Sequence, residues 1–528
     1  MRSTGLSRAT LLAIGFSIVH VLLAWLVRSP GFAWGEDDAA FLLLARDLQS
    51  FHYRELQDVL LPVHARFPPV FPAMLALVGK VTGNHLDVLL AFVGLCSATS
   101  LFFFYDAARR KVGEEIALIA AALFAINPTA LVDAGSLMSE APFKLFIALA
   151  VWGVARETEG PRYVVIAITA TILAALTRTA GIVLIPALGM YWLLKRRFRW
   201  TMGLALASLA VVAWLVFAFN APDASDRRLY VADVKGADGQ VSTRLVTSMQ
   251  RLGPRTREYL QNYIPWSLGV PTIPGTPIDN AIWVVAAIVF GLAGLVALMK
   301  QWTIASLFLL SYGALLMYWR YGFDRLLRPV VPLMLVTILT GLSVIGQRFF
   351  PRYRRWVVFA FGAALAIGAL GRTAVDVSTH LQCDRSAPAD SPSCWSREER
   401  ELLKLAHWVR DSTPPDAVFF VSKERAFFVH ASRRSINQDR ALREDSTTIA
   451  DYLRSRGVAY TVLTPVGVRM RRHTQLVRSA CRDFELVKRF SNRAMVLRLL
   501  PGAAASDSAT ACAAARDFDP SDSAETTS

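Results

Sequence analysis

The sequence predicts an α-helical, polytopic membrane protein of about eleven transmembrane helices, followed by a small extracytoplasmic α/β domain. Three observations carry this expectation. Of 528 residues, 54% are hydrophobic and only 19% charged, more apolar than a soluble domain normally tolerates. Runs of apolar residues long enough to cross about 30 Å of hydrocarbon recur along the first 375 positions. Beyond residue 375 the pattern changes to short amphipathic and β-branched segments separated by turns.

The first apolar run, 10–27, exceeds a signal-peptide core and lacks a convincing cleavage site, so it reads as an uncleaved anchor. Further runs lie near 86–107, 115–132, 138–155, 163–176, 179–194, 200–220, 280–299, 302–319, 326–346 and 356–375. Basic clusters at Arg109-Arg110-Lys111, Lys195-Arg196-Arg197, Lys300 and Arg348 to Arg355 fall between runs where an inside N-terminus places cytoplasm. Segments 28–85, 221–279 and 376–528 then lie outside. The formal net charge of +16 follows largely from these clusters and does not call for a nucleic-acid partner.

Within the first outer loop, 39–48 reads as a short amphipathic helix along the membrane surface. Pro68, Pro69 and Pro72 delay a regular helix until the apolar stretch 70–82, which is short for a crossing and reads as re-entrant or interfacial. The second outer loop, 221–279, holds six prolines, and loops of that length tend to serve function. Lys235, Arg255 and Arg257 are its candidates for closing over a ligand, although a solvated face is the commoner role for each.

In the outer domain, 376–501, "REERELLKLAHWVRD" and "TTIADYLRSRG" read as helices, and "AVFFVS", "VAYTVLTP" and "AMVLRLL" as strands. The small, polar tail 502–528 reads as disordered. Cys383 and Cys394 bracket a short Pro- and Ser-rich loop, where an oxidising compartment would allow them to pair; sequence alone leaves that disulfide open. Cys96 sits in an apolar run as a small core residue. No cysteine pair has zinc-site spacing.

The outer segments also hold the candidate chemistry. Glu36, Asp37 and Asp38 stand at the outer boundary, at the start of a helix. Carboxylates there first suit the positive end of a helix dipole, and one of them also suits a general base near low-dielectric surroundings. Glu140, in "SEAP", is either a helix-start residue or a second site acid. Arg178, between two apolar runs, is either snorkelling or a phosphate contact. Arg325 and Arg328, in "DRLLRPVVP", run against the positive-inside trend, and a guanidinium matches phosphate with two parallel hydrogen bonds. His52 and His64 are loop histidines, solvated or in contact with a substrate.

The order "DDAAF", "RFPPVFPAMLAL", "SLMSEAPFKLFIALAVWG", "LAALTRTAGIVLIPALGMYWLLKRR" and "GFDRLLRPVVPLMLV", over roughly residues 10–345, resembles the GT-C membrane glycosyltransferases. Within that superfamily it is similar to the bacterial branch related to protein O-mannosyltransferases and the lipid A aminoarabinose transferase. The resemblance implies a GT-C transmembrane domain over 1–375 in the bacterial cytoplasmic membrane. It implies a polyprenyl-phosphate-linked sugar donor and a lipid, glycan or protein acceptor in the envelope. It points to Asp37 first and Asp38 second as the base, with Phe41 where Tyr is commoner. Glu140 matches the family's second acidic position, and Arg325 with Arg178 and Arg328 matches its phosphate-binding positions, Leu326 replacing a usual Tyr. No obligatory cofactor is implied, although the acidic cluster leaves a divalent cation open, as in the oligosaccharyltransferase relatives. Two other classes compete: a transporter or flippase of lipid-linked saccharides, which would show ionisable residues at mid-membrane and paired broken helices, and a non-catalytic scaffold.

Overall fold

The computed structural model describes residues 7–32, 36–221, 231, 240–270, 277–319, 322–437, 448–466, 470–501 and 508–518. Every one of the eleven apolar runs is helical. The first ten helices are α1 (Arg8–Leu26), α2 (Glu36–Leu48), α3 (Val70–Thr82), α4 (Leu86–Lys111), α5 (Glu114–Ala125), α6 (Pro128–Ala134), α7 (Glu140–Ala155), α8 (Pro161–Thr177), α9 (Leu184–Leu194) and α10 (Phe198–Asn220). Helices Pro277–Gln301, Thr303–Tyr318, Val331–Phe349 and Arg354–Leu381 complete this part. Among the described residues, six helices are long and apolar enough to cross a membrane, or seven if the bent pair α5 and α6 counts as one span. The chain is thus a multi-pass membrane protein. The number falls below eleven because several runs are short helices: Pro161–Thr177, Thr179–Leu194 and Thr303–Tyr318 have 10–17 residues each.

Local chemistry accounts for the breaks. Pro128 cannot donate a backbone hydrogen bond, and the Asn127 side chain accepts from Ala130 N–H, so α5 stops and α6 restarts at 61°. Arg178 is extended, with φ −143° and ψ 135°, which ends α8 on the site side of the bundle. Small residues set one close helix crossing. A methyl on Gly294 would overlap the carbonyl oxygen of Thr337, and one on Gly341 that of Phe290, so Pro277–Gln301 and Val331–Phe349 meet backbone to backbone.

The segment expected as the first outer loop differs from its expected form. Residues Ala39 to Ala45 of α2 are all buried, so the helix is a core element and not a surface one. Its "AAFLLLA" run is apolar on every face, which suits burial on all sides better than one lipid contact. α3 packs beside it with Phe71 and Leu75 buried, while Leu77 and Val81 remain exposed. In the second long loop, helices Val241–Gln250, Leu252–Glu258 and Ile264–Leu268 lie among the described residues, and Lys235 lies outside them.

The C-terminal part opens with helix Arg397–Ser412, closed at its start by a capping box between Ser396 and Glu399. Its sheet contains β1 (Val418–Val421), β2 (Ser435–Asn437), β3 (Val458–Leu463), β4 (Phe484–Ser491) and β5 (Ala494–Leu499) in the order β2-β1-β3-β5-β4. β2, β1 and β3 are parallel; β5 is antiparallel to β3 and β4. β1, β3 and β5 match the expected strands. β2 is too short to show a period, and β4, "FELVKRFS", is charged enough to hide as an edge.

The tail departs from the expected disorder. Helix Ser508–Asp517 packs Ala511 and Ala514 into the domain core, Phe518 follows just beyond its end, and Cys481 is disulfide-bonded to Cys512. Its Ala-rich composition is helix-forming, and the disulfide ties it down. Residues 502–507 and 519–528 lie outside the described set. Cys383 and Cys394 are also joined, with Cα atoms 4.6 Å apart.

This domain packs on the segment between α1 and α4. Ser435 N–H donates to Gln57 O at 2.8 Å, Val59 N–H donates to Ser435 O at 3.3 Å, and His430 Nε2 lies 2.6 Å from Phe32 O. Arg385 donates to the carbonyls of Arg28 and Ser29. It therefore shares a side with Asp37.

Candidate active site

The first turn of α2, the start of α7, the end of α8 and the 3-10 turn Asp324–Leu326 converge on one cavity of about 530 Å3. Asp37, Arg66, Arg178 and Arg325 supply its charged wall, with Tyr312, Trp319 and Phe219 among its aromatic groups and Leu215, Leu315 and Leu316 on its apolar side. Three cations against one carboxylate make the lining favourable to an anion.

Residues nearly three hundred positions apart are in direct contact. Arg325 Nη1 donates to Asp37 Oδ2 at 2.9 Å, and its Nε donates to Glu140 Oε1. Arg178 Nη1 donates to the same Glu140 oxygen at 2.7 Å and to Ser139 Oγ at 2.9 Å. Glu140 is fully buried at the N-terminus of α7, where two guanidinium groups and the helix dipole stabilise its charge. Its carboxylate thus serves the arginines; its neighbour Ser139 makes no side-chain cap hydrogen bond.

One turn along α7, Lys144 repeats the arrangement. Its Nζ donates to Asp133 Oδ2 at 2.9 Å, and Arg328 Nη1 donates to Asp133 Oδ1 at 3.0 Å, while Arg328 Nη2 reaches Asp324 Oδ2 at 2.8 Å. Lys144 and Asp133 are both buried. Glu140 of α7 therefore holds Arg325 directly, while Asp133 of α6, itself held by Lys144, holds Arg328 in the following 3-10 turn. Tyr312 adds a third restraint by donating to Leu326 O at 2.8 Å.

The two aspartates differ in acidity. Burial pushes the Asp37 carboxyl up, but Arg325, Arg66 and Arg425 outweigh it and hold the group below the usual carboxylate range. Burial raises Asp38 to about 7, with Asp37 and Glu36 adding repulsion against the favourable Ala39 N–H and Lys423. Asp37 lines the cavity and Asp38 does not.

Two expected contacts turn elsewhere. Arg328 is engaged by Asp133 and Asp324 and does not line this cavity, because a second 3-10 turn, Arg328–Val330, redirects it. His64 is 1% exposed; its Nε2 accepts from Phe67 N–H at 2.9 Å, and Nδ1 faces Glu55 Oε1 at 3.0 Å. It braces the cavity wall from behind. Arg425 of the C-terminal domain reaches the same Glu55 oxygen at 3.5 Å, which links that domain through Glu55 and His64 to the Arg66-Phe67 wall. Arg255 donates to Trp319 O and Arg257 to Gln261 at 3.0 Å, so neither points into the cavity.

Sequence reading passed over Arg66. It lines the cavity in "ARFPP" and has no carboxylate in ion-pair contact among the described residues. The prolines beside it were the available signal. Lys144 was hidden inside an apolar run, and Asp133 stands directly after another. Among the described residues no group of three or more His, Cys, Asp or Glu side chains converges as for a metal ion.

The fold aligns with ArnT from Cupriavidus metallidurans, solved bound to undecaprenyl phosphate, at a TM-score of 0.55, over 94% of this chain and 99% of that one, with 14% identity. The chain has the GT-C fold. An Archaeoglobus fulgidus oligosaccharyltransferase, solved with a tethered acceptor peptide, shares that GT-C fold at a TM-score of 0.53, over 90% of this chain and 72% of that one, with 13% identity. Residues 66–221 match the family model for dolichyl-phosphate-mannose-protein mannosyltransferase. No curated protein sequence matches the chain. In GT-C terms, the matched segment begins at Arg66 and includes Glu140 and Arg178, two of the cavity's anchoring positions.

Proposed function

We propose that this chain transfers a sugar from a polyprenyl-phosphate donor to an envelope acceptor on the outer face of the bacterial cytoplasmic membrane. In this reading residues 1–375 form the transferase domain with eleven membrane-crossing or membrane-embedded segments, and the C-terminal domain is extracytoplasmic. The observation that carries it is the meeting of Asp37, Glu140, Arg178 and Arg325 at one amphipathic cavity. ArnT bound to undecaprenyl phosphate supports the donor class.

The chemistry needs few groups. Arg325, Arg178 and Arg66 receive the donor phosphate, and the Leu215 and Leu315 side of the cavity receives the start of the polyprenyl chain. Asp37 takes the proton from the acceptor hydroxyl. The freed oxygen forms a bond to the anomeric carbon as the bond from that carbon to the phosphate oxygen breaks. Polyprenyl phosphate leaves as a stabilised anion held by the arginines, and direct displacement inverts the anomeric configuration. Before donor arrives, Arg325 shields Asp37; a phosphate that draws the guanidinium away raises the basicity of Asp37 at the moment it is needed. The phosphate is a good leaving group and the arginines balance its charge, so this route requires no metal ion.

Asp37→Asn tests the reading. General-base assistance contributes about 10²–10⁴-fold, so turnover should fall by that factor while membrane insertion stays intact. The measurement is mass spectrometry of membrane lipids and envelope glycans from cells with the native chain, the variant or neither. A product that depends on the chain but is unchanged in Asp37→Asn would refute Asp37 as base.

A further inference from the structure

Arg328 turns away from the first cavity into a second, of about 680 Å3, between α6, Trp266 and helix Arg354–Leu381. Its mouth faces lipid: Ile367 and Val375 on its rim are 72% and 64% exposed on a membrane-spanning helix. A Cβ on Gly371, also in its wall, would meet no atom within 4 Å. The space is open, and no described side chain fills it at that point.

The polar groups in this groove are unusual for that position. Arg372 stacks on Trp266 at 3.6 Å and donates from Nη1 to Trp266 O at 2.9 Å, yet no described carboxylate is in ion-pair contact with it. Asp376, one turn on, likewise has no described cation in ion-pair contact, and both side chains line the groove. A cation and an anion at i and i+4 normally pair with each other on a helix. Here Trp266 holds the guanidinium aside, leaving its other N–H groups and the carboxylate free for a ligand.

Depth fixes what that ligand is. Arg372 lies eighteen residues beyond Arg354, about 27 Å along the helix at 1.5 Å per residue, which is the thickness of the hydrocarbon. Arg352, Arg354 and Arg355 mark the opposite interface. The Arg372 and Asp376 pair therefore sits at headgroup level in the leaflet on the Asp37 side.

We propose that this groove binds the phosphoethanolamine headgroup of a membrane phospholipid, its phosphate on Arg372 and its ammonium on Asp376. The headgroup carries both charges two carbons apart and is neutral overall, as the two side chains are together. Its acyl chains run along Ile367 and neighbouring apolar residues. Because Arg328 lines the groove and grips Asp324 beside Arg325, the bound lipid also braces the segment that carries the donor-site arginine.

The test is native mass spectrometry of the full-length chain in neutral detergent with dihexanoyl phosphatidylethanolamine, dihexanoyl phosphatidylglycerol or inorganic phosphate as the probe. The expected result is a phosphatidylethanolamine adduct, at least tenfold weaker in Arg372→Gln and in Gly371→Trp, which blocks the space without touching either charge. Asp376→Asn should lose the preference over phosphatidylglycerol. Thermal unfolding of each variant checks that the fold persists. Equal phosphatidylethanolamine retention by Arg372→Gln or Gly371→Trp would overturn the proposal. Displacement by inorganic phosphate, or equal binding of phosphatidylglycerol to the native chain, would overturn it as well.

Discussion

Replacing Arg325 by Ala removes the guanidinium that touches both Asp37 and Glu140. Glu140 keeps Arg178 at 2.7 Å, so its charge stays compensated, whereas Asp37 loses its direct partner. The consequence for donor binding follows from hydrogen bonds to charged groups, worth about 1.5–3 kcal/mol each. Two such bonds to a phosphate would give about 3–6 kcal/mol. Part of that is offset because the guanidinium must first leave Asp37, and its 29% side-chain exposure leaves it screened by water. A net loss of about 2 kcal/mol is expected, or about 30-fold in Kd. Arg325→Lys keeps the charge but not the fork, and should lose about 1 kcal/mol, or about fivefold. The assay is titration of the purified chain with undecaprenyl phosphate, read by quenching of tryptophan fluorescence, since Trp319 stands in the cavity wall. An unchanged Kd in a folded Arg325→Ala protein would refute the assignment of this arginine to the phosphate.

Three further outcomes follow from the same contacts. Asp38 is raised to about 7 in the fold, so the native state binds a proton that the unfolded chain has released. The Asp38 contribution to stability should be full below about pH 4 and fall as pH rises to about 7, and Asp38→Asn should remove that part of the dependence in thermal unfolding across this range. Lys144→Met leaves Asp133 buried with Arg328 alone; breaking a buried pair costs about 3–5 kcal/mol, and Arg328 should hold the loss to the lower end, read as a drop in Tm in detergent. Arg425→Ala lies outside the cavity, but loosens Glu55, His64 and the Arg66-Phe67 wall. It should weaken undecaprenyl phosphate binding about threefold to tenfold in the same fluorescence titration, consistent with about 1 kcal/mol of coupling.

The helices were legible because apolar runs of that length have few alternatives, and each became a helix in the fold. That Asp37, Glu140, Arg178 and Arg325 deserved notice was legible for another reason: they are charges placed beside apolar runs, where their presence is expensive, and the fold brings them together. Side-chain direction was not legible. Arg325 and Arg328 stand three apart in one short motif, yet two successive 3-10 turns send them into different cavities. His64 looked like a solvated loop residue because nothing local announces that Glu55 and a helix from beyond residue 420 will enclose it. Arg66 was not legible because the carboxylate it acts on, Asp37, lies far away in sequence, and no local pattern marks its place on the cavity wall. The terminal helix was missed because Ala, Ser and Asp are as common in disordered tails as in helices; its disulfide partner lies thirty-one residues upstream.

The spacing of Glu140 and Lys144 has an evolutionary corollary. One helical turn presents Glu140 to Arg325 and Lys144 to Asp133, so adding or deleting a single residue between them would swing one by about 100° and detach it from its partner. Natural length variation among descendants of this chain should accumulate in its connecting loops, while that five-residue interval stays frozen in size even where the intervening letters drift.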